Sequence, residues 1–281
     1  MDIETAEFGA PGMGGMMPEP EPEPEVRPIF EERRLREIGM RYLVARPKAG
    51  AAERVLVAVH GVSREWREMA EHLIGPCLAT GTTLIVPRFS RSGYRGFQRL
   101  EVGRKGIAAD HALLHVLDDA AQTFEIGATA EVLLFGYSGG AQFAHRFSLA
   151  HPHRVKRQVL AAAGFYTMPD TASRYPFGLA LGGRLGSLDV AGLLLPTKVF
   201  VGALDTARDP RLRTGRSLDR QQGRNRVERA RRFVIATRAL AGTCQQPPAC
   251  FFEISHNCGH SFVECAEKGD LVRKVVDFLV G

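Results

Sequence analysis

Four apolar residues, Val132-Leu133-Leu134-Phe135, run without a break into Gly136-Tyr137-Ser138-Gly139-Gly140. A helical pattern begins at once on the far side, with Phe143, Phe147 and Ala150 on one face before Pro152 stops it. A chain that passes from a buried strand to a helix through so short a turn has few folds open to it. The serine at the apex is forced into a crowded backbone conformation, which small residues two positions to either side relieve. The turn also aims backbone N–H groups out of the helix N-terminus, where negative charge is favoured. With 30 glycines in 281 residues, roughly 0.1 such pentapeptide is expected by chance. The flanking strand and helix therefore carry the weight of the motif.

The rest of the chain repeats the alternation. Strand-like runs fall at Met40–Ala45, Val55–Val59, Thr83–Val86, Val159–Ala163, Lys198–Val201 and Phe251–Ile254. Several are unbroken Val, Leu and Ile, as expected of strands covered on both faces. Helical patterns lie between them, one using Ile107, Leu114, Leu117, Ala121 and Phe124, and a last one using Val272, Val275, Val276 and Leu279. This order predicts an α/β fold, a mostly parallel sheet with helices on both sides. Residues 170–196 interrupt the pattern with a long Gly- and Leu-rich connection that could form a small cap or a surface segment. Residues 1–28, with Gly/Met-rich sequence and then Pro18 to Glu25 alternating Pro and Glu, read as a disordered tail preceding a domain at 29–281.

Charge sharpens that division. Seven acidic and no Lys or Arg residues stand in 1–25, which leaves 37 basic against 24 acidic side chains in the remainder. Nine arginines lie between Arg211 and Arg232, opposed only by Asp219 and Glu228. A solvated helix face accounts for them, with attraction of an anionic substrate as the functional alternative. No aromatic or glycine-rich motif accompanies them, so a nucleic-acid partner is not expected. No apolar run of eighteen residues predicts a membrane span. The N-terminus lacks the pattern of a secretory signal, so a cytoplasmic location is expected. Five cysteines, an odd number, fit reduced thiols, although oxidation could join Cys244 and Cys250 across Gln-Gln-Pro-Pro-Ala.

A serine needs a base to lose its proton near neutral pH. Among nine histidines, His260 in Asn257-Cys258-Gly259-His260-Ser261 follows a late strand and precedes the last helices, where a loop can reach the serine's sheet edge. His256, Cys258 and His260 could be imagined as metal ligands, but no further cluster completes a site, so no metal and no cofactor are expected. The base in turn needs a buried carboxylate. Asp205 lies shortly after Lys198–Val201 through the small, apolar Gly202-Ala203-Leu204, and Asp209 in the same loop is the alternative. Donors for a developing oxyanion should be the N–H of Gly139 and one from His60-Gly61-Val62-Ser63, with Val62 favoured over Ser63.

These pieces occur in the order Ser138, Asp205, His260, with His60-Gly61 after an early strand. In this the chain, over about residues 38–281, resembles the α/β-hydrolase superfamily. The resemblance implies an eight-stranded, mostly parallel sheet with the site at the strand C-termini. The Ala109–Phe124 helix pattern and the Gly223–Phe233 run make it similar to the poly(3-hydroxybutyrate)-depolymerase-like, feruloyl-esterase-like and dienelactone-hydrolase-like esterases. The expected function is hydrolysis of a small-molecule carboxylic ester, neutral or anionic, through an acyl-enzyme on Ser138. Thioester, amide or lactone hydrolysis, acyl transfer by the same residues, and non-catalytic binding are the alternatives.

Overall fold

The computed structural model describes residues 29–47, 54–180 and 188–281. The tail read at 1–28 lies outside them. The strands are β1 (Ile29–Leu35), β2 (Met40–Arg46), β3 (Arg54–Val59), β4 (Thr82–Arg88), β5 (Val132–Tyr137), β6 (Val155–Ala161), β7 (Thr197–Gly202) and β8 (Cys250–Ser255). They form one sheet in the order β1-β2-β4-β3-β5-β6-β7-β8. The β1/β2 and β2/β4 pairs are antiparallel and the rest parallel. This is the eight-stranded, mostly parallel, helix-flanked sheet of the α/β-hydrolase fold.

Two-sided burial explains the unbroken apolar strands. Along β3, Val55, Val57 and Val59 enter one core while Leu56 and Ala58 enter the other, as the strand's two-residue period demands. The first core is closed by α2 (Ala109–Phe124), α3 (Gly139–Ala150) and α6 (Arg226–Thr243), through Leu113, Val116, Phe143, Phe147 and Phe233. The second is closed by α1 (Trp66–Ala79) and α8 (Leu271–Val280), through Trp66, Met69, Leu73, Val275 and Leu279. Each such large side chain stabilises the fold by about 1.5–3 kcal/mol when fully buried.

β1 was not among the runs picked out by apolar pattern, because Glu31-Glu32-Arg33-Arg34 supplies little to bury. It is held by its ladder to β2 and by Arg33, which bonds Asp119 of α2 at 3.0 Å. Tyr42 of β2 donates to the other oxygen of Asp119. Charged residues on an edge strand also discourage pairing with another chain.

Of the 170–196 connection, residues 170–180 fold into turns. Leu179 N donates to Asp170 O, and the Tyr175 hydroxyl donates to Arg99 O at 2.8 Å. The short α4 (Ala191–Leu194) follows after 181–187, which lie outside the described residues. All five cysteines are free, Cys244 exposed and the other four buried. No helix among the described residues is long and apolar enough to cross a membrane.

Candidate active site

The turn after β5 has the backbone expected of a crowded apex. Ser138 sits at φ 55, ψ −110, a region that side chains rarely occupy. Its N–H is held by Ala161 O at 2.7 Å, at the end of the neighbouring β6. Close approach explains the flanking glycines. A Cβ on Gly136 would stand 2.2 Å from Gly140 O, and one on Gly140 would stand 1.9 Å from Val59 O. The helix α3 is thereby pressed against the ends of β5 and β3. Gly139 opens α3, where helix N–H groups have no partner four residues back.

The loop after β3 lies against this turn. A Cβ on Gly139 would be 3.3 Å from Val62 N and 2.7 Å from Val62 Cγ1, so Val62 lies close against the helix start. His60 fixes the loop from behind. Its Nδ1 bonds Gly61 O at 2.7 Å and its Nε2 accepts from Phe89 N at 3.0 Å, which assigns the proton to Nδ1. The ring is fully buried against Phe97 and Phe89. Burial pushes its pKa down to about 4, against a smaller upward effect of the bond to Gly61, so it is neutral at physiological pH.

His260 stands on the loop between β8 and α7 (Phe262–Glu267). Gly259 N donates to Glu264 Oε2 at 2.9 Å, and Ser261 caps α7 by accepting from Glu264 N. The Asp205 loop is tied to this one by Leu204 N donating to Cys258 O at 3.1 Å. The side chains then meet in a chain. Ser138 Oγ is 3.1 Å from His260 Nε2, and His260 Nδ1 is 2.7 Å from Asp205 Oδ2. Asp205 is 2% exposed, whereas the His260 side chain keeps 24% of its surface open to the cleft.

The second oxygen of Asp205 has a partner that sequence reading missed. Arg226 Nη1 bonds Asp205 Oδ1 at 3.0 Å and Asp209 Oδ2 at 2.7 Å. The carboxylate considered as the alternative to Asp205 thus belongs to the same network, one step removed from His260. Arg226 is 2% exposed, and Arg229, one helical turn on, is fully buried, donating to Gly223 O, Gly164 O and Asp219. The solvated-face reading of the arginine stretch is therefore corrected for these two. They share a helix side with the core residues Val227, Ala230 and Phe233; Arg229 is met there by two carbonyls and a carboxylate, and Arg226 Nη1 by two carboxylates, while Arg226 Nε is buried without a partner. The start of α6 is set by Asn225, whose Oδ1 accepts from Glu228 N at 2.9 Å while its side-chain Nδ2 donates to Glu228 Oε1 at 2.9 Å. That Asn-x-x-Glu signature was available in the sequence.

The site opens into a cleft of about 720 Å³. One wall is Val62, Glu65 and Glu68, the other the segment after β7 with Asp209 and Arg211. The described residues of 170–196 do not line it. The imagined His256, Cys258 and His260 metal set is not assembled among the described residues. Another group, Asp110, His111 and His151, does lie together, with the His151–Asp110 hydrogen bond at 2.9 Å and His111 4.0 Å away on the surface. Of the remaining histidines, His145 is buried, accepting from Thr167 N at 2.8 Å.

An α/β-hydrolase fold with a serine on its nucleophile-type turn is the class that the architecture defines. No protein-family model matches the sequence, and no curated protein does so. Solved structures do match. A poly(aspartic acid) hydrolase from Sphingomonas sp. KT-1 is 23% identical over 84% of this chain and 93% of its own, with a TM-score of 0.72. A poly(3-hydroxybutyrate) depolymerase from Bordetella parapertussis is 26% identical over 79% and 78%, with a TM-score of 0.67. An S-formylglutathione hydrolase from Agrobacterium tumefaciens is 14% identical over 89% and 94%, with a TM-score of 0.55. The structural neighbours are thus hydrolases and esterases.

Proposed function

We propose that the protein is a serine hydrolase that cleaves carboxylic esters through an acyl-enzyme on Ser138. The observation that carries this is the continuous contact from Ser138 Oγ through His260 to buried Asp205. In the first half-reaction the Ser138 oxygen bonds to the ester carbonyl carbon as its proton passes to His260 Nε2. Asp205 holds the imidazole in the tautomer with its proton on Nδ1 and stabilises the imidazolium. The negative oxygen of the tetrahedral intermediate is received by the N–H groups of Gly139 and Val62. Collapse breaks the bond to the leaving alkoxide, which takes the proton from Nε2. Water, deprotonated by His260, then attacks the acyl-serine, and Ser138 leaves with its proton restored. The residues supply nucleophile, base and electrostatic stabilisation with no cofactor.

Arg211 supports an anionic group on the substrate. It lines the cleft, and it, Arg213 and Arg216 pair with no carboxylate among the described residues. The neighbour that hydrolyses a polyanion, the poly(aspartic acid) hydrolase, makes such a substrate the sensible one to include in a panel. The deciding experiment is labelling with a fluorophosphonate, peptide mapping, and a short-chain p-nitrophenyl ester assay. Modification at Ser138 with turnover is expected. Ser138→Ala should abolish labelling and lower turnover by about 10⁶ with the fold intact. A folded Ser138→Ala protein that keeps most of its activity would end the proposal.

A further inference from the structure

The contact between Arg226 and the acid of the triad raises a problem of charge. A guanidinium on one oxygen of Asp205, with the histidine on the other, draws on the negative charge that His260 needs when it takes a proton. Left alone, that arrangement would hold Asp205 firmly and weaken it as a partner for an imidazolium. Asp209 stands where it corrects this. The same Nη1 nitrogen that bonds Asp205 also bonds Asp209, and more closely. Burial would raise the Asp209 carboxyl, but the hydrogen bonds from Arg226 and from Arg211 N outweigh it and hold the group below the usual carboxylate range.

We propose that Arg226 and Asp209 form a neutral positioning pair for the triad: Arg226 fixes the orientation of Asp205, and Asp209 cancels the Arg226 charge so that Asp205 keeps its full effect on His260. This rests on the hydrolase reading above and adds two residues to it. Neither touches the substrate's reacting atoms, so both act through Asp205. With His260 neutral, the four side chains carry one net negative charge. When the proton of Ser138 Oγ moves to His260 Nε2, that charge is balanced and a neutral cluster faces the new oxyanion.

The groups around His260 that stay the same in any test can be named. Tyr137 of β5, with its ring centroid 6.0 Å from that of His260, and Cys265 of α7 are both pushed up by burial and remain neutral. Cys258 on the His260 loop is buried behind it. Glu264 caps the loop, and Glu65, Glu68 and Arg211 face the cleft. A change at Arg226 or Asp209 is therefore read against a fixed background.

The test is the second-order rate of Ser138 inactivation by a fluorophosphonate as a function of pH, which needs no knowledge of the substrate. Asp209→Asn keeps the shape and, with its side chain 30% exposed, leaves little to unfold. Removing its negative charge should move the acid limb of the profile to lower pH by about one pH unit and reduce the plateau rate about tenfold. Arg226→Met removes the positive charge and should move the limb the other way. The double variant restores the net charge and should bring the limb back toward wild type, while the plateau stays low because Asp205 is no longer held. A merely structural pair would lower stability or plateau without opposite movements of the limb. If Arg226→Met does not fold, Asp209→Asn alone decides. Wild-type inactivation with an unmoved limb in Asp209→Asn overturns this inference, whereas failure of the wild type to be labelled overturns the hydrolase reading instead.

Discussion

Replacing Gly140 with alanine tests whether the turn's spacing exists for the reason argued. The new methyl would be placed 1.9 Å from Val59 O, 2.6 Å from Val59 C and 2.7 Å from His60 O. All three are backbone atoms, so no side chain can swing away. Reaching even 3.0 Å requires α3 and the end of β3 to part by about 1 Å. Those two elements carry Ser138 and the His60–Val62 loop, so the parting widens the gap between the proposed nucleophile and one of its proposed oxyanion donors. Overpacking of this kind costs about 1–3 kcal/mol, which in a chain of this size corresponds to a fall in Tm of roughly 2–12 °C. A displacement of about 1 Å in a reacting geometry costs about 10²-fold in rate. The assay is thermal unfolding beside fluorophosphonate labelling, with Gly242→Ala as control. Gly242 lies near the end of α6, and a Cβ there meets nothing within 4 Å, so the control should be neutral or slightly stabilising. A Gly140→Ala protein that labels at the wild-type rate with an unchanged Tm would refute the close-packing account of the motif.

His60, buried and pushed down to about 4 from its usual value near 6.5, binds fewer protons folded than unfolded in that interval. Stability should therefore rise with pH across it and be lost as pH falls from about 6.5 toward 4, by up to about 3 kcal/mol from this group. Urea unfolding at pH 7 and pH 5 measures the loss, and it should shrink in His60→Gln. If the two proteins lose stability equally, another group is responsible. Arg211→Glu should raise KM for an ester bearing a carboxylate by about tenfold while leaving a neutral p-nitrophenyl ester nearly unaffected, as expected for a contact made away from the reacting carbonyl. Equal effects on both esters would place Arg211 outside substrate binding.

How much of this was open to sequence reading depends on where the restraint lies. Strands buried on both faces, such as Val55–Val59 and Val132–Phe135, announce themselves because every residue must be apolar. β1 does not, since its place comes from hydrogen bonds to β2 and from Arg33 reaching Asp119 across 86 residues. The helix that stops short of Pro152 and the last helix were legible from their apolar faces. The cap reading of 170–196 rested on length alone, and the cleft walls come instead from the segments after β3 and β7.

At the site the same distinction recurs. Ser138, Asp205 and His260 each follow a strand, and parallel strands deliver their C-terminal ends to one edge, so sequence order suffices to bring them together as candidates. The Asp205 and Asp209 alternatives could be ranked by distance from β7, but their relation could not be seen, because it is made by a residue from a different element. Arg226 looked like one of nine arginines on a charged stretch, and its meaning depends on helix phase. Val227, Ala230, Phe233 and Val234 turn α6 toward the sheet, and the cap at Asn225 sets Arg226 at the first turn of the side that faces β7 and its loop. A cation placed there would be costly to desolvate unless acids met it, and two do. The buried arginine and the second aspartate thus explain one another: each is expensive at that position alone, and together their charges meet beside Asp205.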